Sequence, residues 1–171
     1  MPVSLLILTG ASGAGKTTLV DALARRHRPG LHTYHFDSIG VPSAEAMIAQ
    51  FGSGEGWQAA MTGQWIERLA SNPDGAAAMV LEGQMRPHVI RGSWPAASAV
   101  LCRIILVDCA PEIRRARLAG PRAQPELANS QMDAWAAYLR GQADALGLPI
   151  VDTSAQSIEQ GVSALEALLL P

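Results

Sequence analysis

The chain has 171 residues, 49% hydrophobic and 16% charged, with a net charge of −2. This composition suits one globular domain with a sizeable core and excludes a disordered chain; it also gives no global basic footprint for nucleic acid. No apolar run approaches the roughly 20 residues of a membrane-spanning helix.

The first predicted element is a buried strand, Leu5-Leu6-Ile7-Leu8. It reads as a strand rather than a signal peptide, because no basic segment precedes it and it runs straight into a glycine-rich loop. That loop, Gly10-Ala11-Ser12-Gly13-Ala14-Gly15-Lys16-Thr17, fits the phosphate-binding pattern G-x-x-x-x-G-K-[ST] at every fixed position. Its glycines permit positive φ and let backbone N–H groups approach an anion closely. Lys16 is placed to bridge β- and γ-phosphate oxygens, Thr17 to ligate Mg²⁺, and Thr18 completes the nucleotide-binding set. Lys16 is also the only lysine of the chain, the other twelve basic residues being arginine. A compact, mobile charge is thus kept for the one position where phosphate chemistry uses it.

A helix is expected from about Gly15 to His27, with Leu19, Val20, Leu23 and Ala24 on one face and Pro29-Gly30 as its stop. A second strand, Leu31 to Phe36, leads to Asp37-Ser38. A short helix near Ala44 to Gln50, a flexible break at 52–56 and a helix from about Trp57 to Leu69 follow. Trp57 and Trp65 sit on helical spacing and read as core. The third strand is Ala77 to Leu81, followed by Glu82-Gly83-Gln84. Met85 to Ser98, with two prolines, a glycine and Trp94, reads as a loop with short helical pieces.

The fourth strand, Ile104 to Val107, is the clearest β-branched run, and Pro111 opens a helix carrying Arg114, Arg115 and Arg117. Cys102 and Cys109 flank the strand. Along an extended segment they stand about 23 Å apart at ~3.3 Å per residue, out of disulfide reach. Both are expected to pack, in a cytoplasmic setting. An irregular stretch, 120–125, precedes a long amphipathic helix from Asn129 to Leu146, on which Trp135 and Tyr138 are expected to pack. A short strand Ile150-Val151 and a last helix from Ser157 to Leu170 complete the chain, with Ser157 and Gln160 as a capping box. His27, His32, His35 and His88 show no metal-ligand spacing.

Alternating strands and helices imply an α/β fold, a parallel sheet with helices on both faces. Gly10, Asp37, Glu82, Asp108 and Asp152 each follow a predicted strand, so all are expected along one edge, where such sheets bind ligands.

With these residues in place, the chain resembles the P-loop small-molecule kinases, a group that includes nucleotide, shikimate and gluconate kinases and the chloramphenicol phosphotransferase type. The resemblance rests on the loop Gly10 to Thr17, on Asp37 in His35-Phe36-Asp37-Ser38, on Arg114-Arg115-Ala116-Arg117-Leu118 with Arg122 beyond, and on Val151-Asp152-Thr153-Ser154. It spans nearly the whole length. It implies a three-layer P-loop NTPase fold with a five-stranded parallel sheet of order 2-3-1-4-5, and Mg-ATP as phosphoryl donor. It also implies an acceptor-binding segment at about 38–70 and an arginine-bearing lid at about 114–128.

The resemblance also implies roles for single residues. Asp37 would orient or deprotonate an acceptor hydroxyl, the alternative being a helix N-cap. Glu82 would hold Mg²⁺ through water or contact substrate. Arg114, Arg117 and Arg122 would stabilise the transferring phosphoryl group, the alternative being a solvated helix face. Thr153 and Ser154 would lie near the adenine. Arg86 and Arg91 follow Glu82 on the active edge, and Arg86 is the acceptor-side candidate; Asp108 reads as a helix cap. The expected activity is transfer of the ATP γ-phosphoryl group to a hydroxyl or phosphate of a small molecule. A nucleotide-dependent switch acting through a protein partner, and a kinase of nucleic-acid ends, are the alternatives. Oligomeric state is left open.

Overall fold

The computed structural model describes residues 2–169. Five parallel strands form one sheet in the order β2-β3-β1-β4-β5. They are β1 (Val3–Thr9), β2 (Leu31–His35), β3 (Ala78–Gly83), β4 (Val100–Asp108) and β5 (Ile150–Asp152). The helices are α1 (Lys16–Ala24), α2 (Ala44–Phe51), α3 (Gly54–Ala70), α4 (Pro87–Ser93), α5 (Pro111–Ala119), α6 (Ser130–Leu146) and α7 (Ile158–Leu169), with single 3₁₀ turns at Phe36–Ile39 and Pro125–Leu127. The strand order is the one expected.

The period of two along β1 divides the core. Leu6 and Leu8 face α1 and α7, packing with Val20, Leu23, Val162 and Leu165. Leu5 and Ile7 face the other layer, packing with Trp57, Trp65, Ile66 and Leu69 of α3. Both faces of β1 are covered, so the strand reads as a continuous apolar run rather than an alternating one. A smaller cluster seats α6 through Leu139 and Ala143 against Leu106.

Strand β3 takes in Glu82 and Gly83 and β2 ends one residue early, at His35; four further segments differ from expectation, each for a local reason. Helix α1 stops at Ala24, because His27 takes a positive φ of 48° ahead of Pro29-Gly30. Only Gly52 and Ser53 separate α2 from α3: Gly52, at φ 79°, ends the first helix, and the Ser53 hydroxyl accepts from Gly56 N to start the second. Strand β4 begins four residues early, at Val100, where mixed polarity hides the pattern. The segment after β3 holds a regular helix, α4, with Pro87 in its first turn. The capping box is present at α7: Ser157 N donates to Gln160 Oε1 at 2.9 Å and Gln160 N to Ser157 Oγ at 3.2 Å. The expected end of that helix, Leu170, lies outside the described residues. Cys102 and Cys109 are free thiols, the second buried. No helix among the described residues is long and apolar enough to cross a membrane.

One close approach positions the site. A Cβ on Gly83 would lie 2.4 Å from Phe36 Cβ. Phe36 is wedged there against Trp57, edge to face at 5.8 Å, and its carbonyl accepts from Trp65 Nε1 at 3.2 Å. Gly83→Ala is therefore expected to push Phe36 out, costing about 1–3 kcal/mol of stability as an overpacked core does. Chemical denaturation of the variant checks this.

Candidate active site

The carboxyl ends of the strands gather the chemistry at one edge. Register pairs Glu82 of β3 with Leu8 of β1 on one side and with His35 of β2 on the other. The loop leaves β1 at Thr9 and feeds α1, with Gly13 at φ 82° and Gly15 at φ 100°. Gly15 sits at the α1 N-cap with no side-chain cap, so the first N–H groups of the helix have no side-chain partner there. Together these give the concave array of amides that the motif predicts, at the positive end of a helix.

Lys16 is buried, 7% exposed, and its Nζ donates to the Ala11 carbonyl at 3.0 Å, folded back across the loop. Burial lowers its pKa from 10.5 to about 8, opposed by the Glu82 carboxylate. Thr17 Oγ1 donates to Glu82 Oε1 at 3.2 Å. Glu82 is buried and also meets His35 Nδ1 at 2.8 Å, while His35 Nε2 lies 3.7 Å from Asp21. His35 thus has a specific partner in the site. Its position at the end of β2, beside the end of β3, was the available signal.

Asp37 is not a helix cap. It lies inside the 3₁₀ turn Phe36–Ile39, whose N-cap is His35. No protein hydrogen bond reaches its carboxylate among the described residues. Its pKa is raised by partial desolvation and then by the Glu82 charge, opposed by Lys16, Arg122 and His35. Asp37, Glu82, Lys16 and Arg122 therefore share one electrostatic centre. Asp108 is not the cap of α5 either, since Ala110 holds that position. Its carboxylate accepts from Cys109 N at 2.9 Å and faces Arg140 at 3.6 Å.

The three arginines part ways. Arg114, expected on the lid, is 2% exposed and donates to Asp133 at 2.8 Å and to the Cys109 carbonyl at 3.3 Å, with its Nε left unpaired. Arg115 meets the same Asp133, its Nε donating at 3.1 Å. Both arginines hold the Asp133 carboxyl below the usual range. A Cβ on Gly13 would lie 3.0 Å from Arg114 Cγ, so this side chain supports the loop from behind. Arg117 instead braces the loop: its guanidinium donates to the carbonyls of Gly13 at 3.2 Å and Ala14 at 3.4 Å, and to Thr153 Oγ1 at 2.8 Å. Arg122 is exposed, with Gln124 as its hydrogen-bond partner at 3.1 Å.

Two cavities flank the loop. One of about 250 Å³ is lined by Gly13, Gly15, Thr18, Arg117, Arg122 and Thr153, among others. Thr153 stands against the loop, donating to the Ala14 carbonyl at 2.6 Å. Ser154 is used differently, accepting from Ala110 N at 2.6 Å. The other cavity, about 290 Å³, opens between α3 and α6 and includes Arg86 and Trp135. Trp57 and Trp65 are core, as expected. Trp135 and Tyr138 do stack on each other, 5.5 Å apart at 14°, but Tyr138 is 38% exposed and Arg86 lies over the Trp135 ring at 4.8 Å. Trp135 packs against the Leu139–Ala143 cluster as expected and also lines the second cavity, whereas Tyr138 lies outside that lining. Gln84, not singled out in the sequence, joins that cavity to the loop by donating to Ser12 Oγ at 3.0 Å.

No protein-family model matches the chain, and a search of curated proteins gives no match. Solved structures do resemble it. Shikimate kinase from Acinetobacter baumannii in complex with shikimate aligns with a TM-score of 0.63 at 16% identity, covering 99% of this chain and 93% of that one. Deoxyadenosine kinase from M. mycoides aligns with a TM-score of 0.63 at 10% identity, covering 96% and 98%. A sugar kinase from Janibacter sp. HTCC2649 gives 0.56 at 17% identity, covering 98% and 95%. At these identities the likeness is one of backbone architecture, and it extends over almost the full length of each chain. The protein has the fold of the P-loop small-molecule kinases.

Proposed function

We propose that this protein is an ATP-dependent phosphotransferase that moves the γ-phosphoryl group to a small-molecule hydroxyl. The observation that carries the reading is the convergence of Lys16, Glu82 and Asp37 at the mouth of a glycine loop. A motif that only closed a turn would not require a buried lysine beside two strand-end carboxylates.

The loop amides and Lys16 receive the phosphates, and the 250 Å³ cavity beside Gly15 and Thr153 takes the nucleoside. The residues fit Mg²⁺. Thr17 and Glu82 bring two oxygen ligands within 3.2 Å of each other. That suits an ion bound by one or two protein oxygens together with substrate phosphates. When bound, Mg²⁺ neutralises charge on the phosphate oxygens. Asp37, with its raised pKa and uncommitted carboxylate, takes the proton of the acceptor hydroxyl. Arg122, exposed on the connection after α5 and coupled to Lys16 and Asp37, covers the transferring group. Arg117 and Arg114 hold the loop in shape instead. Residues 38–70 supply the acceptor side and 114–128 the lid.

The test is ADP release by purified protein with Mg-ATP across a panel of small-molecule acceptors. Stimulation of ADP release by at least one acceptor, with equimolar phosphorylated product, is expected. Slow hydrolysis unaffected by every acceptor, together with nucleotide-dependent retention of a protein partner, points to the switch instead.

A further inference from the structure

The charge on the acceptor side is mostly acidic. From Ser38 to Ala70 the chain carries Glu45, Glu55 and Glu67 against a single cation, Arg68, which faces Asp74 at 3.4 Å and lies over the Tyr34 and Trp65 rings. The same stretch leaves Ile39, Val41 and Ile48 exposed at 43%, 57% and 61%. Asp37 and Glu82 add two carboxylates at the reacting end, and the imidazole of His35 is tied between Glu82 and Asp21.

One cation enters the cavity between α3 and α6, and it is already engaged. Arg86 lies 3.4 Å from the Glu55 carboxylate, donates to Gln58 Oε1 and stacks over Trp135 at 4.8 Å. Its side chain is 16% exposed, whereas that of Glu55 is 68% exposed. The remaining polar lining, Gln58 and Gln84, consists of neutral amides that can both donate and accept. Lys16 and Arg122 stand on the donor side, where they meet the nucleotide's phosphates.

Resting on the phosphotransferase reading above, we infer that the acceptor is a hydroxylated molecule with no carboxylate or phosphate, neutral or bearing an amine. Its ring lies against the Trp135–Arg86 wall and its polar groups reach Gln58, Gln84 and Glu55. An anionic acceptor would have to displace Glu55 from Arg86 and then lie beside Asp37 and Glu82. Selectivity of that kind comes from repulsion built against the wrong ligand as much as from attraction to the right one. A cationic amine meets the opposite situation, because the Glu55 carboxylate, 68% exposed, can accept from it while still facing Arg86.

Calorimetric titration of the full chain tests this. The protein is first loaded with Mg-ADP, then titrated with inorganic sulfate, gluconate and glucose 6-phosphate. Wild-type protein is expected to bind none of them more tightly than about 10 mM. Glu55→Gln, an exposed substitution that releases Arg86 without unfolding the chain, is expected to bind at least one of them tenfold or more tighter, and the gain is expected to vanish in Glu55→Gln with Arg86→Gln. Submillimolar binding of any of these anions to the wild type, lost in Arg86→Gln, overturns the inference and leaves the kinase reading standing. A Glu55→Gln protein that gains nothing overturns it as well. No heat in the opening ADP titration removes the kinase reading itself, and this inference with it.

Discussion

Asp37→Asn is expected to lower turnover by about 10²–10⁴-fold, the range contributed by a positioned general base, while ATP affinity stays within a few-fold of wild type. The asymmetry follows from the geometry. Asp37 is held by Phe36, whose ring is clamped by Gly83 and Trp57 and whose carbonyl is bound by Trp65, so the carboxylate can change without moving the loop. The carboxylate itself serves no cap and no protein hydrogen bond. Its raised pKa, from desolvation and the Glu82 charge, brings it nearer the working range of a base, so the pH–rate profile should show an acidic limb above the usual carboxylate range. Steady-state kinetics separates the outcomes. Equal losses of turnover and nucleotide affinity indicate a collapsed site, and wild-type values for both show that Asp37 is not the base.

Lys16→Ala is the second large effect, expected to lower turnover by about 10²–10³-fold, as loss of a preorganised charge-stabilising donor does. Its protonation gives a signature that a structural lysine lacks. In the nucleotide-free loop the ammonium is desolvated and its pKa is about 8. The triphosphate restores favourable surroundings for the charge and raises that pKa. ATP binding at pH 8–9 is therefore expected to take up a fraction of a proton, and binding near pH 6.5, where Lys16 is already charged, none through this group. Calorimetry in buffers of different ionisation enthalpy measures the uptake, which should disappear in Lys16→Ala. The linkage for folding has the matching sign. The unfolded chain holds the proton up to its ordinary pKa of 10.5, so this group's contribution makes the free protein more stable as pH rises from 8 toward 10.5.

What the sequence revealed followed from short-range constraints. The strand–loop–helix at Leu5 to Leu23 was legible because the motif fixes backbone geometry locally, and the parallel sheet because strands and helices alternate; the strand order followed only from the resemblance to the P-loop small-molecule kinases. The capping box at Ser157 was legible as a local pattern too. The arginines were not. Residues 114 and 117 are one turn apart on α5, so spacing alone put them on a shared face, yet Asp133 on α6 draws Arg114 into the interior while the loop carbonyls and Thr153 take Arg117. Long side chains with five donors go where acceptors are, and Asp133 and Thr153 lie 19 and 36 residues from the arginines they hold. The same limit hid the Gln84–Ser12 hydrogen bond and the Arg86–Trp135 contact, both between residues far apart in the sequence. The start of strand β4 was hidden because Arg103 interrupts the apolar run ahead of Ile104.

The central claim is that the Gly10–Thr17 loop with Lys16 receives a nucleotide's phosphate chain. Equilibrium titration with ATP, ADP and adenosine in the presence of Mg²⁺, on wild-type and Lys16→Ala protein without any acceptor, tests it most directly. The account expects ATP and ADP to bind wild type far more tightly than adenosine, and Lys16→Ala to weaken ATP binding by about tenfold to a hundredfold, the worth of one charged hydrogen bond. Adenosine binding as tightly as ATP, or ATP binding alike to both proteins, would contradict it.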